Sequence, residues 1–241
     1  MKKVFFTSFV LLLIAYHTNA QTLNLFGVFP SYSQSGRIYK KWDYSLYLFG
    51  AINTFNQTIQ EVKNPPKVFL LYSDNIIAYN FSKRFAAAVS YTYQRTDPFL
   101  NTFINENRVW QQIGYKCSIG KLQLRQRLRN DERFIQNRPI TSNYYFSDRL
   151  RYLIGIEFPL KKESNYYFNA YNEFFFTLTK QRFAVYQENW AYAGIGTKTK
   201  KTGNFEIGIL SVSWLRDSNK DRLNLWYLQL TWITTINISK S

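Results

Sequence analysis

From Lys121 the chain reads KLQLRQRLRNDERF, and its polar residues fall at every second position. Lys121, Gln123, Arg125, Arg127, Arg129, Asp131 and Arg133 share one register, while Leu122, Leu124, Gln126 and Leu128 share the other. A period of two separates residues onto two faces only in an extended strand, where successive Cβ atoms point to opposite sides of a sheet. Four arginines within nine residues therefore stand on one side and leucines on the other. A basic run usually marks a solvated or nucleic-acid-binding face. The interleaved leucines instead require two environments, either core and water or lipid and lumen.

The same alternation runs through the chain. WDYSLYLFGAIN sets Trp42, Tyr44, Leu46 and Leu48 against Asp43, Ser45, Tyr47 and Phe49. FAAAVSYTYQ sets Phe85, Ala87, Val89, Tyr91 and Tyr93 against Ala86, Ala88, Ser90, Thr92 and Gln94. DRLRYLIGIEF sets Arg149, Arg151 and Glu157 against Leu150, Tyr152, Ile154, Ile156 and Phe158. Further strands are expected near residues 23–32, 67–81, 105–118, 165–178, 185–199, 203–216 and 222–238, which makes eleven strand-like segments. Tight turns at NFSKR, SIGK, LKKESN and KKTGN alternate with longer links at NTFNQTIQEVKNPPK, RTDPFLNTF and FIQNRPITSN. Segregated loop lengths suit an up-and-down barrel, with the short set on the periplasmic side. A single-chain bacterial barrel has an even number of strands. The expectation is therefore ten to twelve, with either a further strand hidden in residues 53–66 or a first segment too short to span.

The ends narrow the environment. MKKVFFTSFVLLLIAYHTNA carries Lys2 and Lys3, then an apolar run, then a small-residue close, the layout of a secretory signal peptide over residues 1–20. The apolar run is shorter than the roughly 20 residues a membrane-spanning helix needs. The domain expected after cleavage is 21–241. Nowhere after residue 20 do 18 apolar residues run uninterrupted, so helical spans are excluded. Aromatic residues make up 19% of the chain, as suits girdles at the two interfaces of a barrel. The formal net charge is +16. His17, the sole histidine, leaves with the signal, and Cys117 is the sole cysteine. No His base, Ser-His-Asp relay, His-bound zinc or intramolecular disulfide is then available. No carboxylate pair stands out for glycoside hydrolysis. The chain is expected to have no enzymatic activity and no cofactor. Aromatics spread over every strand of an exported chain also argue against nucleic-acid binding.

Two strands share a motif, ENRVWQQIGYK from Glu106 and ENWAYAGIGTK from Glu188, each ahead of a tight turn. Together with NLFGVFPSY near the mature start, RQRLRNDERF, and RLRYLIGIEFPL from Arg149, the sequence resembles a Bacteroidota family catalogued as domain of unknown function 2490. The resemblance implies an outer-membrane barrel of a Gram-negative bacterium and supplies no reaction. Trp190 stands where the earlier repeat has Arg108.

With a two-residue turn at Ile119-Gly120, Arg108 is expected opposite Asp131, and Glu106 opposite Arg133. Arg125, Arg127, Arg129, Arg149 and Arg151 then need anionic company on the same face. Glu157 and Glu173 are expected to supply it from across the lumen. This cluster reads either as an ion-pair network that plugs a narrow barrel or as an anion-leaning passive channel. The expected partners are outer-membrane lipid and lipopolysaccharide, a small anionic solute, and the barrel-assembly machinery during biogenesis. The competing expectation is a soluble periplasmic or secreted β-barrel that binds a ligand.

Overall fold

The computed structural model describes residues 22–55, 57–59, 62–137, 143–161, 164–179, 185–199, 202–215 and 222–238. The expected signal segment lies outside the described residues, as do parts of the turns at 162–163 and 200–201. The strands are β1 (Thr22–Tyr39), β2 (Trp42–Asn53), β3 (Gln57–Ile59), β4 (Val62–Asn64), β5 (Lys67–Asn80), β6 (Phe85–Thr96), β7 (Ile104–Ile119), β8 (Leu122–Gln136), β9 (Tyr144–Pro159), β10 (Tyr166–Thr177), β11 (Tyr186–Lys198), β12 (Asn204–Leu215) and β13 (Arg222–Thr235). Eleven of them close one barrel in meander order, and β3 with β4 forms a separate small hairpin in the β2–β5 connection.

The barrel has eleven strands, within the ten to twelve expected and equal to the number of strand-like segments in the sequence, although the count is odd. In a meander of odd count the first and last strands run the same way, so the barrel can close only through a parallel pair. That pair is β1–β13, in register from Thr22↔Arg222 to Ser35↔Thr235. Beyond β13 the ladder continues, with the Ile236 N–H donating to Ser35 O at 2.8 Å and the Ile238 N–H to Arg37 O at 2.9 Å. The first segment is therefore a full spanning strand of 18 residues. Among the described residues of 54–66, the strands are those of the side hairpin. All other barrel neighbours pair antiparallel.

The strand ends that border 40–41, 81–84, 120–121, 160–165 and 199–203 lie at one end of the barrel, and those that border 54–66, 97–103, 137–143, 178–185 and 216–221 lie at the other. The first set runs from two to six residues and the second from six to thirteen. Between β7 and β8 the turn is Gly120-Lys121, with Ile119 paired to Leu122. Gly120 takes a φ of 61°, a conformation that favours glycine at the first position of a two-residue hairpin turn. The turn thus sits one residue later than the sequence suggested, and every β7–β8 pairing moves with it. Arg108 stands opposite Arg133, and Glu106 opposite Ile135.

Alternation assigns the faces. Outward aliphatics such as Val89, Ile113, Leu128, Ile195, Ile207 and Ile209 remain exposed, Val89 at 58% and Ile113 at 61%. No second layer covers them among the described residues. Toward the short-turn ends this aliphatic zone meets a ring of outward aromatic pairs, Trp42–Tyr79, Phe85–Tyr115, Phe158–Phe168 and Phe205–Trp232. Toward the long-loop ends it meets Phe134–Phe146 and Phe174–Tyr186. Outward positions near those ends then turn polar, with Asn107, Gln111, Asn130, Glu132, Asp148, Asn172, Asn189 and Ser213. The buried residues are inside: Phe29, Phe49, Trp110, Phe175, Leu210 and Asp131 are each 7% exposed or less.

Candidate functional site in the barrel lumen

The arginine-rich face of β8 and β9 points into the barrel, and β7 and β10 bring the carboxylates to it. Asp131, 0% exposed, is the hub. It accepts from Arg129 Nε at 2.5 Å, from Arg149 Nη2 at 2.9 Å and from Arg151 Nη1 at 3.4 Å, and Arg108 Nη1 lies 3.7 Å away. Each of these arginines also reaches a second acid. Arg108 Nε donates to Glu106 Oε1 at 2.9 Å, Arg149 Nη1 to Glu188 Oε2 at 3.1 Å, and Arg151 to both Glu173 oxygens at 2.8 Å. Arg129 Nη1 lies 3.7 Å from Asp74. Arg133 grips Glu106 at 2.7 and 2.9 Å, and Arg127 Nη2 donates to Glu173 at 2.7 Å. Like-charged arginines can crowd neighbouring strands because each buried guanidinium has an acid within reach, and a buried charge left unpaired would cost several kcal/mol.

The expected partnerships of Glu106 with Arg133 and of Arg108 with Asp131 occur diagonally across the ladder rather than face to face, owing to the shifted turn. Glu157 faces inward but lies at the short-turn end of β9, where it pairs with Lys198 Nζ at 2.8 Å, and it stands outside the network. Among the described residues, Arg125 bonds only the neutral Asn169 Oδ1, at 2.5 Å. Asn169 in turn donates to Glu206, which also accepts from Tyr167 Oη at 2.8 Å and Tyr192 Oη at 3.4 Å. Tyr167 lies flat against the wall because the facing residue is glycine: a Cβ on Gly196 would sit 2.2 Å from its ring.

The other half of the lumen is aromatic. Phe49 stacks on Phe29 at 4.4 Å and on Tyr72 at 4.3 Å between ring centroids. Trp190 on β11 closes on Phe29 at 6.1 Å, Phe49 at 6.3 Å and Phe175 at 5.7 Å, so side chains from β1 and β2 meet those of β10 and β11. Arginines cap this cluster by cation–π contact, Arg151 at 4.4 Å and Arg149 at 4.8 Å from Phe175. Arg129 lies 3.9 Å from the Trp110 ring. Trp110 Nε1 donates to Asp74 at 2.9 Å, and Thr92 and Ser90 also donate to that carboxylate.

Asp74, Glu206 and the aromatic bridge are the parts that sequence reasoning missed. For Asp74 the alternation of Tyr72, Asp74 and Ile76 was the available signal. Among the described residues, no group of His, Cys, Asp and Glu is placed to hold a metal ion.

Fold and interior together define a closed β-barrel with a lumen lined by ion pairs on one side and aromatic rings on the other. The chain belongs to the family described as a protein of unknown function (DUF2490), whose model matches residues 26–224. No curated protein and no solved structure matches it.

Proposed function

We propose that the protein is an outer-membrane β-barrel of a Gram-negative bacterium, exported by the segment 1–20, with a lumen closed to free ion flow. The observation that carries the reading is the outer face: uncovered aliphatics bounded by aromatic rings at both edges. Water would penalise such a surface, and acyl chains would not. In a soluble ligand-binding barrel the same positions would be expected to carry polar residues. Short turns face the periplasm in this reading, and the polar outward ends of the strands project beyond the bilayer with the long loops. Support for closure comes from the interior, where Asp131 is fully buried and the rings of Phe49 and Trp190 meet across the lumen at 6.3 Å. Passive anion conduction is therefore the weaker of the two roles its arginines suggest.

Fractionation with the outer membrane and heat-modifiable migration in detergent gels test the location, and a chain that stays soluble without detergent overturns it. Planar-bilayer recording tests closure. No step conductance is expected from the parent chain, and steady anion-selective current from it would refute a closed lumen.

A further inference from the structure

Not all of the lumen is occupied. A cavity of about 790 Å3 runs along the lumen beside the network, from Ser45 and Arg84 near the short turns to Thr96 and Trp214 near the long loops, and its wall toward the short-turn mouth is basic. Arg84, Lys116, Arg125 and Arg127 line it. Lys116 stands directly opposite Arg125, and the Lys116 N–H donates to Arg84 O at 2.9 Å. Among the described residues, no carboxylate pairs with Arg84, Lys116 or Arg125.

The donors that do point inward are incompletely used. Arg125 Nε, Arg127 Nε and Arg129 Nη2 are all buried without an acceptor, and Arg129 is only 3% exposed. Three successive inward positions of one strand thus each offer a charged N–H that finds nothing in the protein. Buried charge-bearing donors are expected to be satisfied, and leaving one bare costs more than its bond would gain.

The wall is hollowed at the same place. Gly114 faces Arg127. A Cβ at Gly114 would have no atom nearer than 3.9 Å, so this glycine opens room beside the guanidinium without a backbone constraint. Tyr47, Tyr171 and Leu153 also line the cavity, as do Glu173 and Glu206.

We propose that this hollow binds a small organic oxyanion, a carboxylate or phosphate group on an apolar body, with the oxyanion on Arg125 and Arg127 and the body against Tyr47, Tyr171 and Leu153. Planar forks of N–H donors suit such an anion, and the low-polarity wall strengthens the attraction. Arg84 and Lys116 draw the ligand in from the mouth. The inference concerns the folded barrel and stands whether or not a bilayer surrounds it.

Isothermal titration calorimetry on the full barrel folded in detergent tests it, with butyl phosphate and inorganic phosphate as probes. Saturable binding of butyl phosphate is expected, at least severalfold tighter than that of inorganic phosphate. Arg125→Gln should weaken it about tenfold or more, as loss of one charge-assisted bond does. Gly114→Val, which fills the hollow and leaves every charge in place, should weaken it comparably. Lys40→Gln, at an exposed turn on the same end, should leave it unchanged. Heat-modifiable migration establishes that each variant is folded, and Lys116→Gln at the exposed mouth replaces Arg125→Gln if that chain fails to fold. The proposal is overturned by the absence of saturable binding, by equal affinity for the two probes, or by a loss in Lys40→Gln matching that in the lumen variants.

Discussion

Asp131→Asn tests the network at its hub. The substitution keeps the shape and one acceptor oxygen but removes the charge on which Arg108, Arg129, Arg149 and Arg151 converge. Losing one partner of a buried ion pair costs about 3–5 kcal/mol. The structure places the effect at the lower end of that range. Arg108 keeps Glu106, Arg149 keeps Glu188 and Arg151 keeps both oxygens of Glu173. Arg129 alone is left with a distant acid, Asp74 at 3.7 Å. A loss of about 3 kcal/mol follows, and with an m-value of about 2 kcal/mol/M the urea midpoint of the detergent-folded barrel falls by roughly 1.5 M. Because the cost concentrates on Arg129, Asp131→Asn combined with Arg129→Met should recover most of it. Gel-shift or tryptophan-fluorescence unfolding curves measure both. A midpoint shift of less than about 0.5 M, or additive losses in the double variant, would refute the hub.

Other substitutions probe the remaining parts. Ile209→Arg places a charge on the outer aliphatic face and should cost about 2–4 kcal/mol and reduce outer-membrane assembly if lipid covers that face, whereas a water-exposed face would tolerate it within about 0.5 kcal/mol. Gly196→Val drives a side chain into the Tyr167 ring and should destabilise by about 1–3 kcal/mol, read as a lower unfolding midpoint. Trp190→Ala removes the bridge between Phe49 and Phe175, should cost about 3–5 kcal/mol, and is the variant most expected to admit ion current in planar bilayers.

The alternation was legible because a strand's geometry is local: Arg127 and Arg129 must share a face with Arg125 whatever the barrel does. That reasoning placed Leu128, Val89 and Ile154 outside and the arginines opposite them. What it left open depends on distances the sequence does not carry. Whether Arg127 meets Glu173 depends on how far β8 and β10 are staggered on either side of β9. Glu157 shares the inward register of Arg149 and Arg151 but lies too near the short turn to reach the same acids and bases. A one-residue difference in the β7–β8 turn was enough to convert two facing ion pairs into diagonal ones. The parallel closure had no local signature at all. β1 and β13 alternate as any barrel strand does, and only the strand count sets their relative direction.

The repeated motif shows how the two halves of the lumen came to differ. Glu106 and Glu188 begin equivalent inward stretches, and in each strand the residue two positions on donates an N–H to the glutamate: Arg108 Nε at 2.9 Å and Trp190 Nε1 at 2.6 Å. The indole therefore preserves the hydrogen bond that the guanidinium makes. It does not bring the charge, and Glu188 is left free to take Arg149 from β9. Its ring also supplies the surface on which Phe29, Phe49 and Phe175 close. An arginine at 190 would compete with Arg149 for Glu188 and would have to be buried among phenylalanines, where only cation–π contact could partly offset its desolvation. Tryptophan at this position thus joins the two halves, because it completes the acid's coordination on one side and the apolar bridge on the other.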